Sequence, residues 1–151
     1  MSSLAVRTLV RDFLEENSEE SVVDLTGQFE DLRELLAEED VTPDSPWLGL
    51  EFLGDEEIPV SLSADNSSGC YREFGTIMLH ICSVGRIGVG ADIETRAEVL
   101  RNLFRGRRIG AIVIEGVSPV NTGRGATLDF DAGYVSGTVA VDYYFDLSPG
   151  A

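Results

Sequence analysis

Lysine is missing from this chain: all 11 basic residues are arginine. That excludes a P-loop, a lysine Schiff base and a lysine-rich arm for nucleic acid. Histidine occurs once and cysteine twice, too few for a zinc-finger framework or a disulfide scaffold. No apolar run approaches the roughly 20 residues of a membrane-spanning helix. Met1-Ser2-Ser3 leads straight into Leu4-Ala5-Val6-Arg7, without the long apolar core of a secretory leader. The expectation is a soluble chain made in the cytoplasm, with no membrane partner. Positive charge is also scarce. The 27 Asp and Glu residues set a net charge of −16, which disfavours free-standing binding to a phosphate backbone.

What is present describes one domain. A chain of 151 residues that is 43% hydrophobic is not disordered, and at this length folding buries roughly 68–70% of the unfolded surface. The acid is polarised. Residues 1–65 hold 18 Asp and Glu against three Arg, whereas residues 66–151 hold nine against eight. Such a face would deter nucleic acid and wrong partners. Carboxylate excess without lysine also fits adaptation to high salt. At ~1 M salt the Debye length is only ~3 Å, so the charges then serve solubility and hydration, not long-range steering. Composition favours this second reading.

Periodicity divides the chain into an acidic helical segment, 1–40, and a sheet-bearing core, 47–146. Leu4, Val6, Leu9, Val10, Phe13 and Leu14 predict a helix over 3–16, and Phe29, Leu32, Leu35 and Leu36 a second over 27–39. Strands are expected at 47–53 and 58–63, joined by an acidic turn, with Pro59 at an edge or strand start. Alternation over 72–84 sends Ile77, Leu79 and Ile81 to one face and Phe74, Thr76, Met78, His80 and Cys82 to the other. A helix over 92–104, with Asp92 as N-cap, precedes strands at 109–117 and 134–146. The order ααβββαββ predicts an α+β fold, a mostly antiparallel sheet of about five strands packed by helices. The connection 118–133 is long enough for a functional arm.

Few constellations carry chemistry. Gly85-Arg86-Ile87-Gly88-Val89-Gly90 sits between a strand and a helix, but its G-x-x-G-x-G spacing reverses the dinucleotide fingerprint, so a plain loop is expected and no cofactor. His80 and Cys82 share a strand face, yet two ligands do not make a metal site. His80 is the only histidine and no G-x-S-x-G occurs, so nucleophilic hydrolysis has little to stand on. Asp129 and Asp131, with Glu73, would hold a divalent ion for a hydrolase; loop aspartates more commonly satisfy turn N–H groups. Arg105-Gly106-Arg107-Arg108 is the one basic cluster. It either complements the helix dipole or pairs with acid on a neighbouring copy. No catalytic or metal residue is assigned. Arg105, Arg107, Arg108, Asp129 and Asp131 are the candidate inter-subunit residues. A small acidic adaptor binding one host protein is a further alternative.

From residue 71 onward the feature order resembles a known family. Tyr71-Arg72-Glu73-Phe74-Gly75 opens a long strand, and a helix closes on Leu103-Phe104-Arg105-Gly106. The strand Ile109–Ile114 follows, then a Pro/Gly/Asn loop and Tyr134-Val135-Ser136-Gly137-Thr138-Val139-Ala140-Val141-Asp142-Tyr143-Tyr144-Phe145. Over 71–146, with Trp47–Ser63 as the preceding strands, this is similar to the tail-terminator (tail-completion) proteins of long-tailed phages and archaeal tailed viruses. The resemblance implies a small α+β virion protein of the neck, not an enzyme. It would form a hexameric ring with copies of itself on the tail tube protein, end tail polymerisation and meet the head-completion or connector protein. Genomic DNA would pass through without specific binding. The head-completion or stopper protein of the same neck is the alternative within that class.

The charge arithmetic makes a prediction. Removing salt unscreens the carboxylates of residues 1–65, so the melting temperature is expected to rise steadily from low to molar salt in a differential scanning experiment. Equal melting temperatures would remove the high-salt reading.

Overall fold

A computed structural model describes residues 4–26, 46–59, 71–84, 89–121 and 134–147. Helix α1 spans Leu4–Asn17 and strand β1 Ser21–Asp24. Strands β2 (Trp47–Pro59) and β3 (Tyr71–Val84) follow. Then come helix α2 (Val89–Phe104) and strands β4 (Arg108–Ile109), β5 (Ile112–Val117) and β6 (Tyr134–Leu147). The described strands form one six-stranded sheet in the order β1-β2-β3-β6-β5-β4. The fold is α+β, as expected. The sheet is mixed, however, because β1 runs parallel to β2 while every other pair is antiparallel.

Strand β3 is the spine. It is in register with β2 from Tyr71 to Cys82 and with β6 along its whole length. Its period of two therefore sorts side chains on three strands at once. Ile77, Leu79 and Ile81 join Leu48, Leu50 and Phe52 of β2 and Val139, Val141, Tyr143 and Phe145 of β6 in one buried cluster. Val6, Val10 and Leu14 of α1 and Ile93, Ala97, Leu100 and Phe104 of α2 enter the same cluster, so both helices cover one face. Each fully buried residue of this size contributes roughly 1.5–3 kcal/mol of transfer free energy. Phe13 meets the Phe104 ring edge-on, with centroids 5.4 Å apart, and joins the two helices.

Local chemistry explains where elements stop and how they dock. Asn17 closes α1 by donating to the Phe13 carbonyl at 2.8 Å. The Arg7 guanidinium reaches Asp24 at 2.6 Å and lies over the Phe52 ring, which fastens α1 to the β1 edge. Burial alone would raise the Asp24 carboxyl. Hydrogen bonds from Arg7 and Thr26 outweigh it and hold that carboxyl below its ordinary range. Gly106, at φ +63°, turns the chain out of α2, and Gly110, at φ +59°, turns β4 into β5.

Several expectations need correction. Residues 47–59 are one strand with a bulge between Gly54 and Glu56, not two strands and a turn. Acidic residues read as turn formers because they are poor strand formers, but pairing with Glu73 and Phe74 keeps them extended. The expected strand 109–117 is a hairpin, because Gly110 adopts a left-handed backbone. Helix α2 starts at Val89, so Asp92 lies in its first turn and is not its N-cap. Strand β1, four residues long, was too short for periodicity to register. The expected helix 27–39 and residues 60–63 lie outside the described residues. No described helix is long and apolar enough to cross a membrane.

One position tests the packing logic. A Cβ on Gly75 would fall 2.5 Å from the Tyr143 hydroxyl and 2.7 Å from the Leu53 carbonyl, whereas one on Gly116 meets nothing within 4 Å. Gly75→Ala is expected to cost about 1–3 kcal/mol in urea unfolding and Gly116→Ala under about 0.5 kcal/mol. Equal effects would show that the Tyr143 contact is not tight.

Candidate functional site

The helices leave the other sheet face to be decided by the second set of alternating residues. Register arranges these in rows across the strands. Gly49, His80 and Thr138 share one row; Glu51, Met78 and Ala140 the next; Leu53, Thr76 and Asp142 the third. Glu56, Phe74 and Tyr144 form a fourth row, and Ile58, Arg72 and Asp146 a fifth. The His80 end is buried, with Trp47 and Cys82 fully enclosed beside it. The Arg72 end is open, and Leu53 and Ile58 are exposed there.

At the buried end both imidazole nitrogens of His80 are engaged. Nε2 lies 2.6 Å from Glu51 Oε1, and Nδ1 lies 2.9 Å from Thr138 Oγ1. The carboxylate accepts, which assigns the proton to Nε2 and leaves Nδ1 to accept from the Thr138 hydroxyl. A carboxylate–imidazole–hydroxyl series has the order of a hydrolytic triad. Here it ends on Thr138, a residue only 5% exposed and bridged to Asn121. The series ties β2, β3 and β6 together beneath the surface. Burial pulls the His80 pKa below its ordinary 6.5, although Glu51 opposes it. Burial likewise pushes the Cys82 thiol up, away from a reactive thiolate.

His80 and Cys82 do share a face, but the imidazole is turned between Glu51 and Thr138 and offers no lone pair to a metal. Glu73 faces the helix side, where it is buried and accepts a hydrogen bond from Tyr143 at 2.7 Å. Asp129 and Asp131 lie outside the described residues, as do residues 85–88 of the glycine-rich segment; Val89 and Gly90 belong to α2. No group of three His, Cys, Asp or Glu side chains suited to a metal ion occurs among the described residues.

At the open end, Arg72 forms a bidentate pair with Asp146, at 2.7 and 3.1 Å, and its guanidinium stacks 4.1 Å from the Tyr144 ring centroid. The hydrogen bond from Arg72 holds the Asp146 carboxyl below its ordinary range, and the charge of Arg108 adds to this. On the helix side, Arg96 bridges Glu20 at 2.6 Å and Asp92 at 3.4 Å within a cleft of about 410 Å³ between the end of α1 and α2. That arginine is already committed to two carboxylates.

Arg105, Arg107 and Arg108 are different. They follow α2 into β4, at one edge of the sheet, and all three are exposed. Arg7, Arg11, Arg72, Arg96 and Arg101 each meet a carboxylate. Among the described residues none of the three β4-edge arginines forms a salt bridge; Arg105 bonds the Asn102 side chain, and Arg108 acts on Asp146 only at longer range. In a chain of net charge −16 this is an unusual omission. Glu51 and Thr138, the partners of His80, were not singled out from the sequence. The faint signal was that both lie in runs whose alternate positions are apolar.

No protein-family model matches the chain, and no curated protein matches it.

The relay makes a pH prediction. A folded-state pKa below the unfolded value means that the stability from neutral His80 is fully present above pH 6.5 and is lost as pH falls through the folded value. Because His80 is the only histidine, its ring proton is expected to titrate below pH 6.5 by NMR, with stability declining over the same window. A midpoint above 6.5 would mean that Glu51 dominates instead.

Proposed function

We propose that this chain is a structural subunit of a tailed-virus neck: a tail terminator that closes into a hexameric ring on the end of the tail tube. The ring stops tube polymerisation and offers a surface to the head-completion protein. Genomic DNA passes through it without specific binding. The subunit acts by shape, needs no cofactor and breaks no bond.

The observation that carries this reading is the arginine edge. An exposed arginine usually gains up to about 1 kcal/mol from a nearby carboxylate, and in this chain carboxylates outnumber arginines. Three neighbouring exposed arginines without a salt bridge, Arg108 acting on Asp146 only at longer range, are suited to acid that arrives from outside the subunit. A ring requires heterologous contacts, in which one patch meets a different patch and the rotation closes. The polarised charge suits that requirement. A lysine-free surface with excess acid would also let DNA slide without anchoring its phosphates.

Two measurements test the proposal. Mixed with purified tail tubes, the protein is expected to cap tube ends as rings in electron micrographs. Attachment to portal-bearing heads in their place would favour the stopper of the same neck, and attachment to neither would overturn the neck assignment. Charge reversal of Arg105, Arg107 and Arg108 is expected to abolish rings while stability changes by under about 0.5 kcal/mol, as for surface substitutions generally. Collapse of the fold would place those arginines inside the subunit's own energetics. Calorimetry with Mg²⁺, Mn²⁺ and Zn²⁺ is expected to be silent; binding lost in Asp129→Asn or Asp131→Asn would favour a hydrolase.

A further inference from the structure

Strand β2 has two halves with different neighbours. Strand β1 pairs only with Trp47 to Leu50. Leu25 and Thr26 still bond β2 at Leu50 and Phe52, and beyond that point β2 is a sheet edge among the described residues. Leu53, Glu56, Glu57 and Ile58 are exposed along it, Leu53 by 47% and Ile58 by 38%. Neither Glu56 nor Glu57 has a hydrogen-bond or ion-pair partner among the described residues. An exposed edge of this kind is a template for another chain, and charge on it selects which chain.

The register connects this edge to the arginines. Glu56 pairs with Phe74, Phe74 with Tyr144, Tyr144 with Val113, and Val113 with Arg108. One row of side chains thus crosses the sheet from an exposed carboxylate at its first edge to an exposed guanidinium at its last, the latter within electrostatic reach of Asp146. Paired residues share a face, so both ends of the row belong to the same face of the sheet. Head-to-tail docking of two copies, edge to edge, brings Arg108 of one toward Glu56 of the next.

We infer that the free half of β2, at Glu56 and Glu57, is the surface that receives the β4-edge arginines of a second copy of this chain. The inference rests on the ring reading and names its contact. Two acidic edges repel, as do two arginine edges, so charge selects the head-to-tail arrangement over a two-fold dimer. Arginine is suited to this place because its planar fork engages carboxylates in pairs. Leu53 and Ile58 supply apolar area beside the charges, so the contact is not electrostatic alone. The bulge between Gly54 and Glu56 bends the edge and discourages open-ended sheet extension by unrelated strands.

The test is sedimentation of the full chain at graded concentration, in low and in molar salt. Two reversed variants are compared, Glu56→Arg with Glu57→Arg, and Arg107→Glu with Arg108→Glu. Their melting temperatures are checked first. Each alone is expected to weaken self-association at least about tenfold, and their equimolar mixture to return within about threefold of wild type, as for a complementary charged contact. Glu56→Gln with Glu57→Gln adds a control for bulk repulsion. Lower net charge alone would strengthen association, whereas loss of this contact weakens it. Reversed variants that assemble like wild type overturn the inference and leave the ring standing on another surface. A wild-type chain that caps tail tubes but never self-associates also overturns it. A chain that does neither overturns both.

Discussion

Strand β3 has a hydrogen-bonded neighbour on each side over nearly all its length, and that constraint governs the rest of the molecule. A strand held in this way cannot slip by one residue without exposing Ile77, Leu79 and Ile81 and burying Phe74, Thr76 and Met78. The penalty for such a slip is several large side chains at once, each worth roughly 1.5–3 kcal/mol. Register is therefore strongly specified, and it passes to β2 and β6. Helices α1 and α2 then have a single apolar face on which to dock. Gly75 belongs to the same constraint, since the missing Cβ leaves room for Tyr143 to reach Glu73 across the strand pair.

The second face obeys a different balance. Near His80 it is buried, and both imidazole nitrogens have a partner, as low dielectric favours. Near Arg72 it is open, and its ion pair and ring contacts are exposed to water and salt. The buried end links three strands and the open end meets solvent. A carboxylate–imidazole–hydroxyl series therefore does not by itself imply hydrolysis; accessibility of the hydroxyl decides the matter.

Electrostatics supplies the functional argument. With excess acid distributed over the chain, most described arginines have found a carboxylate within their own subunit. Glu20, half-buried beside Arg96, shows how far that matching goes: desolvation opposes ionisation there, yet hydrogen bonds from Ser18 and Arg96 leave its carboxyl below the ordinary 4.5. Against this background, exposed arginines without a salt bridge at one sheet edge and exposed glutamates without one at the other stand out among the described residues. The proposed role in an assembly would give such charges partners on a second copy.

Much of this was legible in the amino-acid order. The helical stripe Val6, Val10, Leu14 and the alternation through Ile77, Leu79 and Ile81 each carry a period that only one secondary structure can bury, so these elements and their inward faces follow directly. The isolation of Arg105, Arg107 and Arg108 as a basic cluster was equally plain. Pairing of distant segments was not. Local propensity broke β2 at its acidic residues, whereas β3 holds them extended from a neighbouring strand. The parallel β1, the hairpin at Gly110 and the partners of His80 depend on contacts between residues far apart in the chain. Glu56 and Arg108 likewise carry no sequence signal as a pair; they occupy one row because three other strands, in register, lie between them. Sequence by itself determined which side chains must turn inward and where charge is scarce. The tertiary structure alone decided which of the remaining groups face one another, because strand order and register are set by the summed burial of the whole sheet.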